Sequence, residues 1–153
     1  MKEIIEIKPL EGFGELKFGA LQEDIRNFLG EPAETETIDV EGEIHEVEVW
    51  SYWDKGYSFY FEKDLDNRCT NFETDNEQVT LFGQKVFEME QQAIIDLMQK
   101  NGYEEFEIED DPDMDEVIVF FDEAHMQFVF EGEELILVSW AVAMNDKNEV
   151  LWP

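Results

Sequence analysis

The chain has 153 residues, enough for one domain with its own core, and its 43% apolar and 14% aromatic content argues against disorder. With 40 acidic against 10 basic residues the formal charge is −30, which repels nucleic-acid phosphates and anionic membrane surfaces and so excludes direct binding to either. A single cysteine, Cys69, excludes an internal disulfide, no apolar run is long enough to cross a bilayer, and Met1-Lys2-Glu3 leads into no apolar export segment, so a cytoplasmic location is expected.

Ile4, Ile5 and Ile7 before Pro9 read as a short strand, followed by a turn at Gly12-Phe13-Gly14 that leads into Leu16 to Gly19. Gly12-Phe13-Gly14 with Gly19 lacks the spacing and lysine of a phosphate loop. Leu21, Ile25, Phe28 and Leu29 fall at i, i+4, i+7 and i+8, which predicts an amphipathic helix stopped by Gly30 and Pro32. From Thr37 to Phe72 the period is two, with polar turns at Glu41-Gly42, Asp54-Lys55-Gly56 and Asp64 to Asn67. That pattern predicts an antiparallel meander of three or four strands. Its aromatics require a covering layer, because a hairpin sheet alone is marginal in water.

The order then recurs. Phe82-Gly83 stands where Phe18-Gly19 stood, a second helix is expected over about Glu88 to Lys100, and Asn101-Gly102 ends it. Met126-Gln127-Phe128-Val129-Phe130-Glu131 lines up with Tyr57-Ser58-Phe59-Tyr60-Phe61-Glu62, and a last strand runs from Leu135 to Val142. The fold class expected is α+β: one compact unit whose antiparallel sheet is made of two tandem helix-plus-β-meander modules, with the helices packed on one face. The repeats would span 10–76 and 77–144, followed by a tail over 145–153. Internal duplication and the coincidence of two meanders both account for the pattern.

Chemistry-bearing constellations are few. Asp111-Pro112-Asp113-Met114-Asp115-Glu116, with Asp122 at the twelfth position, imitates a calcium loop. Glu116 occupies the place of the obligatory glycine, however, and Val117 to Phe121 read as a strand, so a solvated acidic loop is expected. His45 and His125 have no second histidine or cysteine at ligand spacing, and Cys69 in a strand reads as a buried, inert thiol. No catalytic residue, cofactor site or metal site is assigned, although 40 carboxylates hide any acid–base pair among them.

Two segments are acidic throughout: Glu104 to Glu116 holds nine acidic residues and Ala33 to Glu48 holds seven, and neither contains a lysine or arginine. Such runs are either solvated loops or surfaces that steer a basic partner. The candidate partner-binding residues are Glu104, Glu105, Glu107, Glu109, Asp110, Asp111, Asp113 and Asp115, with Trp53 and Tyr57 as aromatic anchors. Trp50 and Tyr52 share a strand face and Trp53 points the other way, so at least one large aromatic is expected outside the core.

Leu16 to Ile25, Phe28-Leu29-Gly30-Glu31-Pro32 and Trp50-Ser51-Tyr52 together resemble a recurrent bacterial module: a helix ending in Leu-Gly-x-Pro, then a strand carrying Trp-x-Tyr. The pattern is similar to the repeat of the β-lactamase inhibitor protein and of the small outer-membrane assembly lipoproteins. It covers about a third of the chain, and the second half departs from it, with Asn101-Gly102-Tyr103 in place of Leu-Gly-x-Pro. The resemblance implies a scaffold whose sheet presents aromatic and acidic side chains to a protein.

The functional expectation is a non-enzymatic, cytoplasmic protein-binding protein of the bacterial immunity or inhibitor kind, occluding a basic enzyme or toxin. The alternatives are a subunit or carboxylate-dependent enzyme of a housekeeping pathway, and a nucleic-acid mimic.

Overall fold

The computed structural model describes residues 6–39, 46–147 and 149–153. Ile4, Ile5, the Glu41-Gly42 turn and His45 lie outside the described residues.

The chain opens with three very short strands, β1 (Glu6–Lys8), β2 (Gly12–Phe13) and β3 (Leu16–Lys17). Gly12 is therefore not a turn residue. A Cβ there would stand 2.0 Å from the Leu16 carbonyl oxygen, so only glycine lets β2 and β3 pair. Helix α1 (Gln22–Leu29) follows, its first turn tied by the Asp24 carboxylate accepting the Leu21 N–H at 3.0 Å, and it buries Ile25 and Leu29. Four strands then run as a meander: β4 (Glu34–Asp39), β5 (Glu46–Tyr52), β6 (Tyr57–Glu62) and β7 (Arg68–Thr74). Two further short strands, β8 (Thr80–Leu81) and β9 (Gln84–Lys85), precede helix α2 (Gln91–Lys100), which buries Ile94, Ile95 and Met98. A second meander comprises β10 (Glu107–Asp111), β11 (Glu116–Phe121), β12 (Met126–Glu131) and β13 (Glu134–Ala141). The tail pairs β14 (Ala143–Met144) with β15 (Val150–Leu151), and the Trp152 ring lies against Gly19.

The two meanders join through β13 and β7 into a single eight-stranded antiparallel sheet of order β10-β11-β12-β13-β7-β6-β5-β4. The short strands form a five-stranded sheet, β3-β2-β1-β8-β9, held together by the parallel pairing of β1 with β8. The expectation of an α+β chain of tandem helix-plus-meander modules, roofed by helices, is overturned. Among the described residues two α-helices of 8 and 10 residues stand beside fifteen strands, and the architecture is mostly β. The layer over the large sheet is in good part a second sheet. Strands of two residues are too short to show a period in sequence, which is why Gly12–Phe13 read as a turn and β3, β8 and β9 did not stand out, although β1 did read as a strand.

One core fills the space between these layers. Phe13 from the small sheet meets Tyr57 at 5.1 Å and Trp140 at 5.0 Å, both edge-on, and Phe72 lies among Phe13, Phe18, Phe59 and Trp140 at centroid separations of 4.9–6.0 Å. The Trp140 Nε1–H donates to the Gly12 carbonyl at 3.0 Å, one buried hydrogen bond linking the two sheets. No helix among the described residues is long and apolar enough to cross a membrane.

Candidate protein-binding face

The two acidic segments end up at the two ends of the large sheet. β10 and β4 are its edge strands, and every residue of both is exposed. Glu107, Glu109, Asp110 and Asp111 thus stand on an edge strand, and the stretch from Asp111 to Glu116, expected as a solvated acidic loop, is the exposed hairpin turn that joins β10 to β11. Asp113 and Asp115 sit in the hairpin turn beyond it, and Glu104 and Glu105 in the segment leading in. The hairpin disposes of the calcium-loop imitation: the Asp111 carboxylate accepts the Asp113 and Met114 N–H groups, and Asp122 lies beyond β11, about 20 Å away along an extended strand. Glu104, Glu105, Glu107, Asp122 and Glu123 line an open cleft with Phe106, but no group of three or more ligand side chains poised for a metal exists among the described residues.

Alternation along each strand gives the sheet two different faces. Trp50, Tyr52, Tyr57, Phe59, Phe61, Phe72, Phe128, Phe130 and Trp140 turn toward the small sheet and helices and belong to the core. The opposite face carries a second set that does not join that core. Val49 and Val129 are each only 7% exposed, yet stand outside the core cluster, as do Tyr60, Ile118, Phe120 and Leu137.

The register orders this outer face. One unbroken line of directly paired residues crosses all eight strands: Glu34, Ser51, Ser58, Glu73, Ser139, Gln127, Phe120 and Glu107. It begins and ends on a glutamate, and Glu73 stands at its middle. On one side of the line Val49 pairs with Tyr60, and on the other Ile118 pairs with Val129 and Val129 with Leu137. Two apolar patches therefore flank a polar midline, and acidic edge strands frame the whole.

The aromatic anchors divide. Trp53, in the turn between β5 and β6, is 63% exposed. Tyr57 is 3% exposed and packed against Phe13 and Phe59, so it is a core residue and not an anchor. Trp50 and Tyr52 are buried as well, and the Tyr52 hydroxyl donates to the Gly30 carbonyl at 2.9 Å. Residues that the sequence reading passed over, above all Tyr60, Glu73, Ile118 and Leu137, prove central to the outer face. One signal for them was present: Val117-Ile118-Val119-Phe120-Phe121 is apolar at every position, which a strand with one wet face does not need.

Glu73 is the most unusual carboxylate of the face. Partial burial pushes its pKa up, against the opposing effect of the Tyr60 hydroxyl, which donates to Glu73 Oε2 at 3.3 Å. The same burial and the Glu73 charge push the Tyr60 phenol up to about 12. Elsewhere on the face, His125 lines a cavity of about 340 Å³ with Asn71, Gln127, Ser139 and Phe120, and no other histidine or cysteine shares it. Cys69 is fully buried, burial pushes its thiol up to about 12, and it is no nucleophile.

No protein-family model matches the sequence, and no curated protein matches it. A solved structure, that of the uncharacterized protein yfeY from Escherichia coli, is similar in fold, with a TM-score of 0.54 at 13% sequence identity, over 90% of this chain and 99% of that one.

Proposed function

We propose that this chain is a non-enzymatic, cytoplasmic protein-binding protein that engages a basic partner across the outer face of its eight-stranded sheet and occludes it, as an acidic immunity or inhibitor protein does. The observation that carries the reading is the placement of the half-buried Tyr60, Ile118 and Leu137, outside the core cluster, between two exposed acidic edge strands. Apolar surface with a charged rim is the anatomy of a protein interface, and a rim of one sign selects a partner of the other and speeds its approach.

The test uses the protein as bait in a lysate of its source at low and moderate salt, followed by purification of the basic protein retained. Ile118→Glu on the outer face should weaken that complex at least tenfold, while Asp96→Lys on the exposed side of α2 should leave it unchanged. Reversing Glu107, Glu109 and Asp111 to lysine should slow association and flatten its dependence on salt. Full affinity of Ile118→Glu together with an unchanged association rate would refute the reading.

A second reading, nucleic-acid mimicry, has one observation in its favour. Glu107, Glu109 and Asp111 form a regular row along one side of β10, at steps of roughly 7 Å. It too calls for a basic partner, and competition by duplex DNA for the captured protein separates it from simple occlusion.

A further inference from the structure

At the middle of the outer face, where the β5–β6 turn overhangs β7 and β13, lies a small cleft lined by Trp53, Ser58, Glu73, Asp75 and Leu137. We propose that this cleft is a socket for an arginine side chain of the partner, the guanidinium stacking on Trp53 and pairing with Glu73. The inference rests on the protein-binding reading of the face and specifies which chemistry its centre accepts.

Three observations carry it. The Glu73 carboxylate has a capacity of about four hydrogen bonds, and its hydrogen bond within the described chain is the long one from Tyr60. None of the ion pairs among the described residues involves Glu73, although partial burial makes its charge costly. A cation from outside offsets that cost, and Asp75 beside it strengthens the attraction. Trp53 supplies an indole face that is 63% exposed, unlike the buried Trp50 and Trp140. Finally, the chain builds the same arrangement internally. The Arg26 guanidinium lies 5.0 Å from the Trp50 ring centroid and pairs with Glu31 at 2.8 Å. Arginine fits better than lysine because a planar fork can stack on the ring and bond a carboxylate at two points at once.

The probe is the capped tripeptide acetyl-Gly-Arg-Gly-amide, titrated against the full chain while the four tryptophan indole N–H resonances are followed by NMR. The citrulline analogue, equal in shape but uncharged, serves as the control. The expected result is a saturable shift confined to Trp53, at least tenfold weaker binding of the citrulline peptide, and about tenfold weaker arginine binding in Glu73→Gln. Glutamine keeps the Tyr60 hydrogen bond, so that variant should remain folded, and Asp96→Asn on the exposed side of α2 should bind the peptide as the unaltered chain does. An unmoved Trp53 resonance, or shifts that never saturate and ignore Glu73→Gln, would overturn the socket. If the captured partner still depends on Ile118 while Trp53 ignores the arginine peptide, the socket is wrong and the docking face stands. If arginine binds with the expected dependence on Glu73 but Ile118→Glu costs the partner nothing, the socket stands and the docking face falls.

Discussion

Replacing Trp140 with phenylalanine should separate the two sheets more than any other single aromatic exchange. The side chain is 1% exposed, meets Phe13 edge-on at 5.0 Å and Phe72 at 5.6 Å, and its Nε1–H is donated to the Gly12 carbonyl at 3.0 Å. Phenylalanine keeps one ring but removes the donor; the Gly12 carbonyl retains its β1–β2 ladder pairing, so the lost hydrogen bond costs about 0.5–1.5 kcal/mol. The lost ring volume leaves a small void that adds about 1–2 kcal/mol. The combined loss, about 1.5–3.5 kcal/mol, is a large share of the roughly 5–15 kcal/mol that stabilises a domain. For a chain of this size it corresponds to a fall in Tm of about 4–12 °C. Urea unfolding followed by circular dichroism measures it, with an unchanged slope showing that the unfolded state is not altered. Trp53→Phe, at an exposed turn, is the control and should stay within about 0.5 kcal/mol. A Trp140→Phe chain as stable as the unaltered one would refute the claim that this hydrogen bond joins the layers.

Glu73→Gln should stabilise the chain at pH 7 and not in acid. Because folding raises the Glu73 pKa above the ordinary 4.5, its contribution is fully present below that value and is lost as pH rises through the folded value, so removing the charge helps only at neutral and alkaline pH. Equal Tm differences at pH 4 and pH 8 would contradict this. Cys69, fully buried with its thiol pushed up to about 12, should resist aromatic disulfide reagents at pH 8 in the folded chain and react promptly in urea; rapid native labelling would be the opposite result. Sodium chloride raised from about 10 mM to 500 mM should increase Tm by several degrees, since screening relieves the self-repulsion of a chain carrying −30 charges; a flat or falling Tm would argue against net repulsion.

Elements with a strong period were legible in the sequence. Helix α1 follows from the spacing of Leu21, Ile25, Phe28 and Leu29, and β6 and β12 from their alternating aromatics. The first acidic segment was legible as strand only from Thr37, and the second not at all. Glu and Asp are poor strand formers, and an edge strand exposed on both faces, such as Glu107–Asp111, has no buried set to impose a period. The covering layer escaped for a related reason, since Gly12–Phe13 and Thr80–Leu81 are strands only because distant segments pair with them. Of the candidate site, the charge could be counted in advance and Trp53 was named, whereas Tyr57, named beside it as an anchor, is buried in the core. Glu73 could not be singled out among 40 acids, because what distinguishes it is its place at the centre of a register line that crosses both meanders.

The edge charges also explain how the outer face can remain uncovered. A wide sheet with two apolar patches and two open edges invites a second copy to pair strand to strand, and bare edges are what such pairing needs. On β10 and β4 that pairing would bring Glu107, Glu109 and Asp111 of one molecule against Glu34, Glu36 or the same residues of another, so like charges meet at every second position. The repulsion vanishes for a partner carrying lysine and arginine. Acidic edges therefore discriminate by a difference between two encounters, unfavourable with a second copy of the chain and favourable with a basic surface. Tyr60, Ile118 and Leu137, half-buried on the outer face, can thereby be kept for the proposed partner without committing the chain to its own aggregation.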